Sequence, residues 1–510
     1  MKKYMRNLLL TLLLTSGVTN ANAGECVNLN SLPSSNIDNE RLIIVSESIA
    51  LCPQEEIILG VRFKLKASNI TLDCGGNTFD GTIPSTSEKT SRALDSAAAL
   101  EDVTIENCVF KNYQKGLLLT PATLGIGGAD YTTGLKRFRV KNVAVRDIGV
   151  YDANNPLGGE GVIVGAYSQD FLIDSVVVEN TRLSGIYLEA YSVRTRVANS
   201  SFIHNGFSGS ASGREAIAID ASSENVISNN LFKDNKYAAI ATYKNCGEAG
   251  VTRTMHANDN LIERNTFSYH DNYNGGAAII IAARQAAALS GCSDDAMPGY
   301  GNRYFDYSRH NVIRENAFVN NVASIKVMDS FQTISGNTFH GTSWNDLSDP
   351  NVKHKLVYDA VVGNAQLAEL GSPVIGVSIL DNITRTSTTN VSGKTFVLNH
   401  GAAAAFAGNR DQNYHCLPEE KSPGNACAEL ETLPPPNRCE VAVTKCPAHP
   451  RENWLDATYG SNVIQSTCAA RARQLWDWCR LDDSDSYSVT TEFFRNNVSL
   501  ETTTYNGAKR

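Results

Sequence analysis

One eight-residue phrase recurs along this chain and constrains its fold more than any other feature. It runs polar residue, two aliphatic residues, two polar residues, Asn, any residue, Phe. Copies stand at Asn225–Phe232, Asn260–Phe267 and Asn311–Phe318, with a looser copy at Gln332–Phe339. Weaker copies surround Phe79, Phe110, Val145, Val177 and Phe202. Each phrase reads as two short strands joined by a polar bend. An aliphatic residue and the Phe point inward, and the Asn bonds either backbone or its own equivalents on neighbouring coils. A third short strand follows each phrase: Val162–Val164, Ile186–Leu188, Ile217–Ile219, Ile240–Thr242, Ile279–Ile281 and Ile325–Val327. One such unit cannot bury its own inner face, but a stack of them can. Propellers and sandwiches need longer strands joined as hairpins. The expectation is therefore an all-β, right-handed parallel β-helix.

Ile57 to Gly81 reads as the opening coil, with the segment before it as a cap over strand edges. Spacing between phrases is uneven. Phe318 to Phe339 is twenty-one residues, whereas Phe267 to Phe318 holds a large insertion. Inserted loops tend to carry function.

The ends are different in character. Lys2, Lys3 and Arg6 precede the apolar run Leu8–Leu14, and the segment closes on Ala21-Asn22-Ala23. This is the pattern of a cleaved export signal over residues 1–23. The expected β-helix domain occupies residues 24–405, and a cysteine-rich region occupies 406–510. All twelve cysteines follow the signal, six of them from Cys416 onward. None forms a C-x-x-C pair, so disulfides in an oxidising compartment, periplasmic or extracellular, are expected rather than zinc. A net charge of −8 argues against nucleic-acid or membrane-surface partners. A monomer is expected.

In a β-helix, ligands lie along an exposed sheet. Aligning the third strands gives one outward column of Ile163, Tyr187, Ala218, Ala241, Ile280 and Lys326. The next contains Gly165, Glu189, Asp220, Tyr243, Ala282 and Met328. Just past the strand ends come Tyr167, Tyr191, Lys244, Arg284 and Asp329. Tyrosines stack on sugar faces, and charged groups perform acid–base chemistry. Any one of these residues is also what an ordinary solvated sheet face would carry.

Three elements in residues 213–284 resemble the central coils of the alginate lyase and chondroitinase B family, polysaccharide lyase family 6. They are Gly213-Arg214-Glu215-Ala216-Ile217, Ile240-Ala241-Thr242-Tyr243-Lys244-Asn245 and Ile279-Ile280-Ile281-Ala282-Ala283-Arg284. The resemblance implies β-elimination of a uronic-acid polysaccharide, with Lys244 and Arg284 as catalytic residues, both turned outward. The chain also departs from the family. Tyr237 and Ala239 stand where the family places two calcium-binding acidic residues, and Gln285-Ala286 stands where it has His-Gly. No cofactor is expected, calcium of the family's kind lacks its ligands, and activity is expected to survive chelators.

Elimination requires the uronate carboxylate to be neutralised, a base for the adjacent proton and an acid for the leaving oxygen. A desolvated lysine can act as a base. Neutralisation would then fall to Arg214, Arg253 or His256, the last two in an insertion spanning residues 247–258. Glu189, Tyr191, Glu215, Asp220, Tyr243, Lys326 and Asp329 complete the expected substrate-binding set. A disulfide between Cys246 and Cys292 would tie the flanking loops. The substrate class is an acidic polysaccharide of a biofilm or capsule.

Two other readings stay open. A glycoside hydrolase would need paired carboxylates, for which Glu189, Asp220 and Asp329 are candidates. A non-catalytic adhesin would need only the exposed face.

Overall fold

The computed structural model describes residues 26–411, apart from residues 38, 305, 320 and 322 and the segments 85–87, 121–128, 150–157, 208–212, 246–252, 269–276, 284–303, 341–357 and 385–395. Beyond residue 411 it describes only backbone strands. The chain winds as a right-handed parallel β-helix. One strand of each coil joins a thirteen-stranded sheet, which runs from Ser34–Ile37 to Phe396–Leu398. The outer face of this sheet, the outward sheet, carries the candidate site. The other two strands of each coil build two further parallel sheets. These merge where a single long strand, Thr104–Lys111 or Arg139–Ile148, spans the bend and pairs with both.

The repeated phrase forms the core. Ile227, Ile262, Ile313 and Ile334 are fully buried beside Phe202, Phe232, Phe267, Phe318 and Phe339. The five rings stack coil on coil, with centroids 4.9–5.0 Å apart and planes within 13°. That spacing is the parallel-strand distance of about 4.8 Å, so identical side chains meet in register. Burying each Phe contributes roughly 1.5–3 kcal/mol.

The phrase asparagines form a buried ladder. Asn230, Asn265, Asn316, Asn337 and Asn382 each pass a side-chain amide hydrogen to the Oδ1 of the next rung, ending on Asn409, at 2.8–3.1 Å. The same Oδ1 accepts the backbone N–H of the preceding Asn, at 2.9–3.0 Å. The ladder satisfies backbone groups that a bend would otherwise leave buried and unpaired. The residue just before each rung takes a left-handed backbone: Asn229, Arg264, Glu315 and Gly336 have φ of 57°, 53°, 55° and 63°. Only the last of these is glycine, so the ladder holds a conformation that costs an ordinary residue roughly 1–2 kcal/mol.

The winding starts earlier than the phrase suggests. Ile49–Ala50 already pairs in parallel with Thr71–Asp73, Ile58–Leu59 pairs with Thr78–Asp80, and Glu40–Val45 pairs with Val61–Leu65. A coil therefore begins at Glu40, ahead of the expected opening coil, and its last strand, Ile58–Leu59, falls inside the range expected for that coil. Ser34–Ile37 folds back antiparallel on Glu40–Val45 at the sheet's end. Disulfides join Cys26 to Cys52 and Cys74 to Cys108 across successive coils.

The last described coil strand is Arg410–Asp411. Further on, Asn453–Tyr459, Asn437–Thr444, Ser488–Arg495 and Val498–Asn506 form an antiparallel four-stranded sheet in that order. The six tail cysteines, Cys246 and Cys292 lie outside the residues whose side chains are described.

Candidate functional site

The outward columns follow from strand pairing. Leu118, Ile163, Tyr187, Ala218, Ala241, Ile280, Lys326 and Val361 are Cα partners in succession. Asp220 pairs with Tyr243 in the adjoining column. Alternation along each strand sends these side chains away from the core.

A buried polar network centres on Asp220, which is inaccessible to solvent. Its Oδ2 accepts from the Tyr187 hydroxyl and from Nη1 of Arg253, and its Oδ1 accepts the Asn245 backbone N–H at 2.8 Å. Asn245 Nδ2 also reaches the Tyr187 hydroxyl, at 3.4 Å. Tyr187 is half-buried, so it carries the network toward solvent. Arg253 is 1% exposed, and its charge is opposed by Asp220. A buried ion pair of this kind is costly to break from either side.

Lys244 adjoins Asn245 but does not point into an open trough. It is fully buried, with Nζ 5.7 Å from the centre of the Tyr304 ring. This corrects the expectation of an outward, solvent-facing lysine: a residue sixty positions further along the chain closes over it. Arg284, its expected partner, lies outside the described residues.

The remaining expected residues divide into groups. Tyr191 stacks on Tyr167 at 4.5 Å, and its hydroxyl accepts the Thr254 N–H at 2.8 Å, which joins it to the segment carrying Arg253. Glu189 is half-buried, and its Oε2 accepts the Ala166 N–H at 3.0 Å. Glu215 and Tyr243 are each 6% exposed. Tyr243 packs against Ala218, Ala241, Ile280 and Ala282. Arg214 is exposed at a corner, with its backbone N–H on the Gly206 carbonyl.

His256 is 5% exposed, and its Nδ1 accepts the Tyr307 N–H at 3.2 Å. An accepting Nδ1 belongs to the neutral ring, so His256 held this way does not supply the cation expected of it. Asp329 is buried, accepting from the backbone of Ser308 and Ser330 at 2.7 Å and from Arg309 Nε at 3.3 Å. Its oxygens are engaged in holding backbone, which removes it as a solvent-facing carboxylate. Lys326 keeps its outward place and is partly exposed, and burial lowers its pKa below the ordinary lysine value.

Two features of this face lie beyond the expected site residues. Tyr187 is one, although its place in the outward column is a signal for it. The other is a charged cluster on the first coils, where Lys64, Asp95 and Leu118 continue the same column toward the N-terminal end. Asp95, 1% exposed, accepts from Arg62 and lies within 3.6–3.8 Å of Arg92 and Lys64. Glu40 meets Arg62 at 3.4 Å. Three cations against two carboxylates leave positive charge on the face. Burial, then the neighbouring Arg62, lowers the pKa of Arg92. No motif announces this cluster, because its members come from three successive coils.

Ala239 is wholly buried in the core, and Tyr237 brings no carboxylate. Among the described residues, no group of three or more His, Cys, Asp or Glu side chains is placed to hold a metal ion.

Comparison with known proteins agrees with the winding. The family model described as right handed beta helix region matches residues 72–255. A second, described as periplasmic copper-binding protein (NosD), matches residues 212–348. No curated protein matches the sequence. Among solved structures, an alginate lyase from Paenibacillus sp. str. FPU-7 is 12% identical, covering 59% of this chain and 80% of its own, with a TM-score of 0.33. PfbA, a surface adhesin of Streptococcus pneumoniae, is 12% identical, covering 73% and 81%, with a TM-score of 0.41. The A-module of the mannuronan C-5 epimerase AlgE4 from Azotobacter vinelandii is 12% identical, covering 59% and 82%, with a TM-score of 0.33. At these identities and TM-scores none of the three assigns a function to this chain.

Proposed function

We propose that this protein is an exported enzyme that cleaves an acidic, uronate-containing extracellular polysaccharide by β-elimination on the outer face of the outward sheet. The observation that carries the reading is the Tyr187–Asp220–Arg253 network, which sits on that face directly beside Lys244. Elimination needs a base and an acid a few ångströms apart, and a tyrosine hydroxyl anchored on a carboxylate is a suitable proton-transfer group. Lys244 takes the base role and Arg284 the acid-side role that the lyase resemblance implies. Reaction at Lys244 requires Tyr304 to move aside. The cationic cluster at Arg62, Lys64 and Arg92 favours an acidic chain. Its Arg62 and Lys64 lie four strand spacings from Tyr187, roughly 19 Å, so an extended oligosaccharide can touch both. The two disulfides support export, since such bonds persist in oxidising compartments.

One observation favours a second reading. Complete burial of Lys244 and Asp220 suits a structural network beneath a non-catalytic glycan-binding face. Incubation with alginate, polygalacturonate and chondroitin sulfate separates the two. Elimination yields unsaturated sugars absorbing at about 230 nm as protons move through the site. Hydrolysis yields reducing ends without that absorbance, and an adhesin leaves the polymer intact.

A further inference from the structure

The corner where each coil leaves its third-sheet strand and returns to the outward sheet lies away from this network. A cavity of about 300 Å³ opens there, its walls including Gly149, Asn180, Arg182, His204 and Phe207. That volume is at the lower end of small-ligand sites, roughly 300–1,000 Å³.

Phe207 is the unusual member. The phenylalanines of the repeated phrase are at most 1% exposed, whereas Phe207 leaves 48% of its surface in solvent. Its position is held by backbone. Gly206 and Phe207 both donate to the Thr181 carbonyl, at 2.9 and 3.3 Å, and Arg214 donates to the Gly206 carbonyl at 2.9 Å. Gly206 has φ of +83°, and a Cβ there would sit 1.9 Å from the Arg214 carbonyl oxygen, so glycine is required for Gly206 and Arg214 to approach this closely. The fold thus fixes an aromatic ring in an exposed pose.

Polar groups surround the ring. His204 lies 5.9 Å from it, tilted by 33°, and the Lys236 ammonium lies 5.9 Å from its centre. Asp234 stands 3.7 Å from His204 Nε2. Asn180 carries an amide at the wall, and Arg182 a guanidinium. An exposed aromatic face ringed by donors and acceptors of both signs matches a pyranose, which has one C–H face and a rim of hydroxyls.

We infer that this corner is a second glycan-binding subsite, centred on Phe207, that holds the polysaccharide without taking part in its cleavage. Its biological role rests on the proposed polysaccharide substrate, but the binding itself does not depend on catalysis.

The test is native affinity electrophoresis of the full chain in gels containing alginate or polygalacturonate as acidic polymers, and dextran or hydroxyethyl cellulose as neutral ones. The wild-type protein should be retarded by at least one polymer, and which class retards it tells whether charge adds to stacking. Phe207→Ala should weaken that retardation about 5–10-fold while its melting temperature and its cleavage of short oligosaccharides stay unchanged. Lys244→Met should keep the retardation. Retardation that depends on Phe207 without any unsaturated product would refute the lyase reading and leave this inference standing. No retardation of the wild type by any polymer, or equal retardation of Phe207→Ala, would overturn it.

Discussion

The phenol of Tyr187 donates a hydrogen bond to Oδ2 of Asp220 on the next coil, although Tyr187's own Cα partner in the sheet is Ala218. The bond runs diagonally, so one half-buried hydroxyl connects solvent to a carboxylate with no exposure of its own. That geometry gives Tyr187 a defined orientation on the outer face, as a proton-transfer group needs.

Replacing Tyr187 with Phe removes the proton-bearing atom and keeps the ring. Cleavage should fall by about 10²-fold or more, the usual contribution of a positioned acid or base. Stability should fall by about 1.5–3 kcal/mol, the contribution of a hydrogen bond to a charged group. Steady-state kinetics together with a thermal melt check both halves. A variant with full activity would take Tyr187 out of the chemistry.

Arg253→Met removes the cation opposite Asp220. The pair is buried, so the uncompensated carboxylate should cost about 3–5 kcal/mol. The double variant Arg253→Met, Asp220→Asn should recover part of that loss. Denaturant melts of the three variants measure the coupling, and strictly additive losses would show that the two groups do not depend on each other.

Asn265→Ala breaks the middle of the ladder. It strands the N–H of Asn230, the Asn230 side-chain amide and the Ile227 carbonyl, all buried. At about 1–3 kcal/mol for each unsatisfied group, the coil should lose several kcal/mol. Amide hydrogen exchange should quicken at Asn230 and its neighbours, while the first coils stay protected.

Lys326 gives a pH signature. Burial lowers its pKa in the folded state relative to the unfolded chain. The folded state then binds fewer protons, so stability from this group rises with pH until the ordinary lysine value is passed. Lys326→Met should therefore melt above the wild type at pH 7, with the gap narrowing toward pH 10. A gap that widens with pH would reverse the sign of the linkage.

Much of the fold is legible in the sequence because its physics repeats. Phe232, Phe267 and Phe318 must meet their equivalents in every coil, so the same side chain recurs at the same place, and the Asn rungs recur for the same reason. The first coil escapes such a reading because Ile49–Ala50 and Ile58–Leu59 are two-residue strands with no Asn-x-Phe phrase between them. The outward column can be read from alternation alone, yet its contacts cannot. Arg253 reaches Asp220 from an insertion that follows no period, and the Tyr304 ring meets Lys244 from sixty residues further along. Side chains brought in by insertions leave no spacing to read, which is why burial of Lys244 emerges only from the structure.

The most direct test of the central claim compares wild-type protein with Lys244→Met on the acidic polysaccharides, following absorbance at about 230 nm. Unsaturated product should grow steadily with the wild type and stay at background with the folded variant. Equal growth from both, or reducing ends appearing without absorbance, would contradict it.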